Sequence, residues 1–424
     1  MVIYVRRIFA RERLFKSARK QGEKMASLLL AIIYLAFISL GLPDSLLGSA
    51  WPEMHQVMGV ELSAMGIVTT LIAVGTVVSS LLSDKITAKF STQIVVTFSV
   101  GLTAVGLLGF SFAPTFVTLC LFAIPYGLGA GAIDAALNNY VALHYTSRHM
   151  SWLHCFWGVG TVISPYVMSF ALGTEMGWAG GYRIVGGIQI AILFVLIFSL
   201  PVWKKAGHIA KPSIDEVTEA AEPPKSLGIV GALKIRGVSY VLLGFLGYCA
   251  AESTVMVWAS TYFFEAKSTT EEVAAALGSL FFIGMTIGRF FAGFISNRVG
   301  DKNMIRIGLG ISVVGVIIIA IPATLPLSIA GFLLIGLGFA PVYPSIIHST
   351  PESFGAENSQ AIIGIQMAAA YLGATLAPPI FGLIANYIDV KLMPLYIAVF
   401  VVLCFVMLEL LNKQSHLKKQ IEDK

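Results

Sequence analysis

Runs of apolar residues, each about as long as a bilayer-crossing helix and separated by short polar stretches, recur from Met25 nearly to the end of the chain. A spanning helix needs roughly 20 mainly apolar residues, and backbone hydrogen bonding inside hydrocarbon leaves few alternatives to helix. Twelve segments qualify, at 25–48, 61–83, 93–112, 115–143, 151–173, 182–203, 237–264, 272–296, 303–322, 325–349, 357–387 and 390–411. The pattern predicts an all-α polytopic membrane protein with twelve transmembrane helices.

The polar stretches organise these spans. The longest, 204–236, carries Asp215, Glu216, Glu219, Glu222, Pro223 and Pro224 and reads as a linker between two six-helix bundles, 25–203 and 237–411. A basic segment, 1–24, precedes the first bundle, and a short tail, 412–424, follows the second. With both termini on the cytoplasmic side, 24 of the 28 Lys and Arg residues fall at that face, which the positive-inside rule favours. The basic start could pass for a signal peptide, but the apolar run continues past Leu40 without a small-residue cleavage site, so it reads as a retained first span. Translation from Met25 is an equally good reading.

Composition narrows the function. A chain that is 57% hydrophobic and 12% charged is far from the quarter charged residues of an average soluble domain. Its net charge of +5 follows membrane orientation and not a nucleic-acid surface. Cys120, Cys155, Cys249 and Cys404 sit inside apolar runs and form no CxxC pair, so no metal site or disulfide framework is expected. The seven histidines are scattered, and no H-E-x-x-H, G-x-S-x-G or Walker pattern occurs, which argues against an enzyme or an ATP-driven pump.

The two halves repeat. Ser80-Leu-Leu-Ser-Asp84-Lys85-Ile-Thr-Ala-Lys89 follows the second predicted span, and Gly293-Phe-Ile-Ser-Asn297-Arg298-Val-Gly-Asp-Lys302 follows the eighth, at an offset of 213. Gly160 with Pro165, and Gly373 with Pro378, are related by the same offset of 213. Both short segments resemble the loop motif G-x-L-a-D-R-x-G-R-K of the major facilitator superfamily. That resemblance implies two pseudo-symmetric bundles with substrate held between them near the midplane. Asp84, Lys85, Asn297 and Arg298 would then form a cytoplasmic gate, pairing with neighbouring helix ends.

Ionisable residues at membrane depth are costly and mark functional candidates. Asp44, Asp134, Glu252 and Arg289 are placed so. A carboxyl group in apolar surroundings takes up a proton more readily than in water, which makes Asp134 the foremost proton carrier. Asn138 lies one turn on, on the same face, with Asn139 beside it; these amides suit either a polyol hydroxyl or interhelical bonding. His154 and Trp157 share a face of the fifth span, where they can bond or stack on a sugar, or simply pack. Asp44 can equally cap a helix end, and Arg289 is expected to snorkel or pair structurally.

The arrangement resembles the fucose:proton symporter family. The resemblance implies proton coupling through Asp44 and Asp134 and substrate contact through Asp134, Asn138, Asn139, His154, Trp157 and Glu252. Gly338-Phe-Ala-Pro-Val-Tyr-Pro344 is also similar. Asp134 stands where the family usually has Glu, and Trp157 where a small amide is common. The expected activity is proton-coupled symport of a sugar or polyol by alternating access at the cell membrane, with no cofactor and no metal. The coupling ion is proton or sodium, and the partners are a small-molecule substrate and the lipid bilayer. Proton-driven efflux by antiport is the main alternative, although the fifth span has Ser164-Pro165 in place of the antiporter Gly-Pro pair. A non-transporting sensor would be expected to add a signalling domain, which neither the linker nor the tail supplies.

Overall fold

The structure, a computed structural model, describes residues 24–61, 64–209, 227–269, 271–278, 280–321 and 324–422. Among the described residues, twelve helical spans are long and apolar enough to cross a membrane: Lys24–Val57, Met65–Phe90, Thr92–Ser111, Phe116–His144, Ser147–Leu172, Gly177–Trp203, Val238–Ala266, Leu280–Val299, Asp301–Ala320, Leu325–His348, Ala356–Tyr387 and Val390–Gln414. They are numbered one to twelve below. The basic segment before Lys24 and most of the acidic linker lie outside the described residues.

Several predicted boundaries move for identifiable reasons. Span one breaks at residues 42–45, where Pro43 removes a backbone donor, and resumes as the helix Leu46–Val57. Span ten breaks at Ala340 and Pro341 into Leu325–Phe339 and Val342–His348. The expected eighth span is helical over Glu271–Gly278 and over Leu280–Val299, and residue 279 between them lies outside the described residues. At the linker, span six continues helically to Ile209 and a six-residue helix, Gly228–Leu233, precedes span seven. The tail extends helix twelve to Glu422.

The segment Ser80–Lys89, read above as following span two, is the last part of its helix. That helix runs to Phe90 and turns at Ser91, whose φ is 64°. Its counterpart ends earlier, at Val299, because Gly300 adopts φ 78° and reverses the chain. The first copy has Thr87 where the motif carries glycine, so no glycine reverses the chain there.

The duplication is visible in the packing. Span four lies against spans two and three, and span ten against eight and nine; span three meets span six as nine meets twelve. Glycines set the closest approaches. Any Cβ on Gly160 would overlap the Ile38 carbonyl of span one, and any Cβ on Gly373 would overlap the Leu246 carbonyl of span seven. Gly127 lies equally close to Ile72, and Gly336 to Phe281.

The halves meet through spans two and eleven, five and eight, four and eleven, and the second part of ten against four and five. The first position of each repeated motif sits at a crossing. Gly364 of span eleven packs onto the Ser80 carbonyl, and Gly293 packs under the indole of Trp152 on span five. A small residue at that position lets the facing helix approach closely at the face bearing the linker.

Candidate functional site

A cavity of about 520 Å³ lies between the halves, inside the roughly 300–1,000 Å³ common for small-molecule sites. Every span except nine and twelve contributes to its wall. It includes Gly48, Met65 and Thr69, near the end opposite the linker, and reaches inward to Asp134.

Asp134 is positioned by a glycine-rich helix. Gly127 and Gly131 let span four press against Ile72 and Thr76 of span two, and this fixes the opposite register of the helix. The Asp134 carboxylate is 5% exposed and touches both halves. Its Oδ1 accepts from Asn138 Nδ2 at 2.7 Å, and its Oδ2 accepts from the Tyr371 hydroxyl of span eleven at 3.0 Å. Asn138 Oδ1 in turn faces His154 Nε2 at 3.1 Å. An amide oxygen only accepts, so His154 donates from Nε2. The His154 ring stands edge-on to Tyr343 and Phe37, with centroids 4.6 and 5.4 Å away.

A second polar chain runs beside the first. The break around Pro43 exposes Asp44 to the cavity, where its Oδ2 accepts from Trp157 Nε1 at 2.9 Å and its Oδ1 from the Tyr126 hydroxyl at 3.2 Å. The guanidinium of Arg289 lies over the Trp157 ring, 5.5 Å from its centroid. Arg289 Nη2 also pairs with Glu252 Oε1 at 3.2 Å. Residues of both halves thereby surround one space.

Asp44, Asp134, His154, Trp157 and Glu252 all line the cavity. Asn138 and Asn139 differ from the expectation that they meet substrate. Asn138 is fully buried, with its amide engaged by Asp134 and His154. Asn139 lies on the far side of the helix and accepts from Ser359 of span eleven at 2.6 Å. Asp44 caps no helix: the helix after it begins at Leu46 with Ser45 as N-cap and no side-chain cap bond. Arg289 does not snorkel, being 4% exposed and directed into the cavity. Tyr126, Tyr343 and Tyr371 were not singled out from the sequence. Tyrosine is an ordinary residue of apolar helices, and only the hydroxyl partners distinguish these.

At the linker face the halves are joined by further bonds. His348 ends span ten, and its ring reaches Asp301 Oδ2 at 2.6 Å, the Tyr145 carbonyl at 3.0 Å and the Ser147 hydroxyl at 3.1 Å. Asn297 Oδ1 accepts from the Arg148 backbone at the start of span five at 3.1 Å. Gln360 donates to Ser83 at 3.3 Å. Asp84 accepts from the Gly228 backbone at 3.1 Å, tying span two to the linker helix. Lys85 and Arg298 are both exposed at this face. The cavity is thus closed towards the linker and reaches the opposite end.

The Major Facilitator Superfamily model matches residues 33–270 and 241–423. An uncharacterized transporter, y4wD, of Sinorhizobium fredii is 28% identical over 384 residues, covering 87% of this chain and 95% of the relative. Among solved structures, the E. coli fucose:proton symporter FucP superposes with a TM-score of 0.71 at 15% identity, covering 90% of this chain and 98% of FucP. A structure of FucP in the outward conformation gives the same TM-score of 0.71. The proton:xylose symporter XylE superposes with a TM-score of 0.72 at 13% identity, covering 90% of this chain and 95% of XylE. The repeated six-helix pattern, the central cavity and these matches agree, and the chain belongs to the Major Facilitator Superfamily, as a membrane transporter and not an enzyme.

Proposed function

We propose that the protein is a proton-coupled symporter of a sugar or similar polyol, working by alternating access in the cell membrane with both termini in the cytoplasm. The observation that carries this reading is the division of the Asp134 carboxylate between the two halves, one oxygen taken by Asn138 and the other by Tyr371. A proton placed on Oδ2 competes with the Tyr371 donor, so loading and unloading it changes a bond between the halves. Coupling of this kind requires that protonation and substrate favour the two access states unequally.

The chemistry of the cavity supports an uncharged, hydroxyl-rich substrate. Its wall holds Asp44, Asp134 and Glu252 against the single guanidinium of Arg289, a balance that disfavours anions. Trp157 and Tyr343 offer aromatic surface beside hydrogen-bonding groups, the combination that suits a sugar ring. Proton is preferred to sodium because the Asp134 oxygens face N–H and O–H donors, whereas a hard cation gathers oxygen ligands. The orientation follows the accumulation of Lys and Arg at the linker face. Asp84, Lys85, Asn297 and Arg298 are assigned to the cytoplasmic gate, Asp84 and Asn297 through the backbone donors they accept.

A second reading, proton-driven efflux, draws on the apolar side of the cavity, where Phe37, Leu40, Ile72, Leu107 and Phe110 suit a partly apolar solute. Uptake of labelled hexoses and pentoses into proteoliposomes under an inward proton gradient separates the two. The symport reading expects accumulation of at least one sugar by the wild type and its loss in Asp134→Asn. If no sugar accumulates under a proton or a sodium gradient, efflux becomes the better account.

A further inference from the structure

The geometry points to the Arg289–Glu252 pair as the element that selects and orients substrate, by gripping a vicinal diol. This deepens the symport reading and rests on it. The pair stands in the cavity wall on the half opposite Asp44 and Asp134, and both side chains are buried, with Arg289 4% and Glu252 9% exposed. Its geometry is incomplete as an internal ion pair. The contact runs through one nitrogen, Nη2, at 3.2 Å, longer than a close charge-assisted bond and short of the two-pronged grip that a guanidinium makes when a carboxylate alone satisfies it. The buried Nε–H has no hydrogen-bond partner among the described residues. Buried donors are nearly always satisfied in folded proteins, so one left open in a cavity wall is available to an entering hydroxyl.

The surroundings specify what that is. Trp157 covers a face of the guanidinium and holds it by a cation–π contact, while its own N–H is committed to Asp44. The free edge of the pair therefore presents N–H donors next to carboxylate oxygens. Two adjacent sugar hydroxyls match such an edge, one accepting from Arg289 and its neighbour donating to Glu252, and each hydroxyl can do either. A carboxylate ligand meets only half of it and is repelled by Glu252. Loss of one hydroxyl leaves a buried hydrogen-bonding group of the pair unsatisfied, which makes the arrangement selective for the intact diol.

A purely structural ion pair and a substrate grip differ in one experiment. The double variant Glu252→Gln/Arg289→Gln removes both charges together, leaving no unpaired charge in the fold. Uptake of the hexose that the wild type accumulates is compared with uptake of its singly deoxygenated analogues, in proteoliposomes containing wild type or double variant. The expected result is a folded variant whose KM for the hexose rises about tenfold or more with a much smaller change in kcat. It also no longer distinguishes the hexose from the analogue lacking one hydroxyl of the diol. A double variant with wild-type KM and undiminished discrimination overturns the inference and leaves the symport reading intact. A wild type that accumulates no sugar overturns the symport reading and this inference with it. Should the double variant fail to fold, Arg289→Lys keeps the charge beside Glu252 without the fork: a raised KM is expected, and a wild-type KM with wild-type discrimination overturns the inference.

Discussion

The Tyr371 hydroxyl donates to Oδ2 of Asp134 at 3.0 Å, joining span eleven to span four beside the central cavity. Asp134 itself is anchored within its own helix by Asn138, so the movable side of the contact is Tyr371. Tyr371→Phe keeps the ring and removes the donor. A single hydrogen bond of this kind contributes about 1–3 kcal/mol when its acceptor is charged. The expected outcome is a folded protein whose proton-driven accumulation is weakened about fivefold or more, measured as the steady-state sugar ratio across proteoliposome membranes.

Replacing Asp134 separates coupling from folding. Asp134→Asn retains a group of the same shape that still accepts one bond, and the expected outcome is loss of uphill accumulation with sugar exchange at equal concentrations retained. Asp134→Ala leaves Tyr371 without its acceptor and Asn138 Nδ2 with only the backbone carbonyl of residue 134, at about 1–3 kcal/mol for a buried group left open. Its thermal midpoint in detergent is expected to fall below that of Asp134→Asn. Equal loss of exchange and accumulation in Asp134→Asn would contradict a coupling role.

Two glycines test different parts of the packing. Gly160 lies against the Ile38 carbonyl inside one half, whereas Gly364 lies against the Ser80 carbonyl between the halves. Both facing atoms are backbone and cannot swing aside. Gly160→Leu is expected to lower stability by about 1–3 kcal/mol or more through overpacking, read from thermal unfolding. Gly364→Leu is expected to spread the halves at the linker face and shift the population towards opening there. Labelling of Ser359→Cys by a maleimide, in a background lacking the four native cysteines, reports that opening.

The same labelling assay applies to His348, whose ring meets Asp301, Tyr145 and Ser147 at that face. His348→Ala removes the bond to the Tyr145 carbonyl and leaves the Asp301 carboxylate without its imidazole partner. Faster labelling of Ser359→Cys is expected, with His348→Gln intermediate because an amide restores one donor. Unchanged labelling in both would show that the helix crossings alone keep this face shut.

Much of the architecture was legible along the chain. The number of spans, their helical nature, the duplication and the deep ionisable residues follow from local physics: the length of hydrocarbon to be crossed, the need to satisfy backbone groups, and the cost of charge in lipid. Boundaries were less legible where one residue decides them, as with Thr87 in place of glycine, which carries span two on to Phe90.

The use of each polar residue was decided only in three dimensions. Asn138 and Asn139 are neighbours in sequence, yet one supports Asp134 and the other bonds Ser359 across the halves, because successive residues of a helix point about 100° apart. Arg289 looked like a residue near a helix end. Its burial against Glu252 and Trp157 depends on spans seven and five, which local sequence does not contain. The chain by itself determined that this protein crosses the membrane as a duplicated set of helices with charge at their centre. Tertiary structure alone decided which charges face the cavity, which tyrosines bond them and which end is closed, since each of these depends on contacts between segments far apart in the chain.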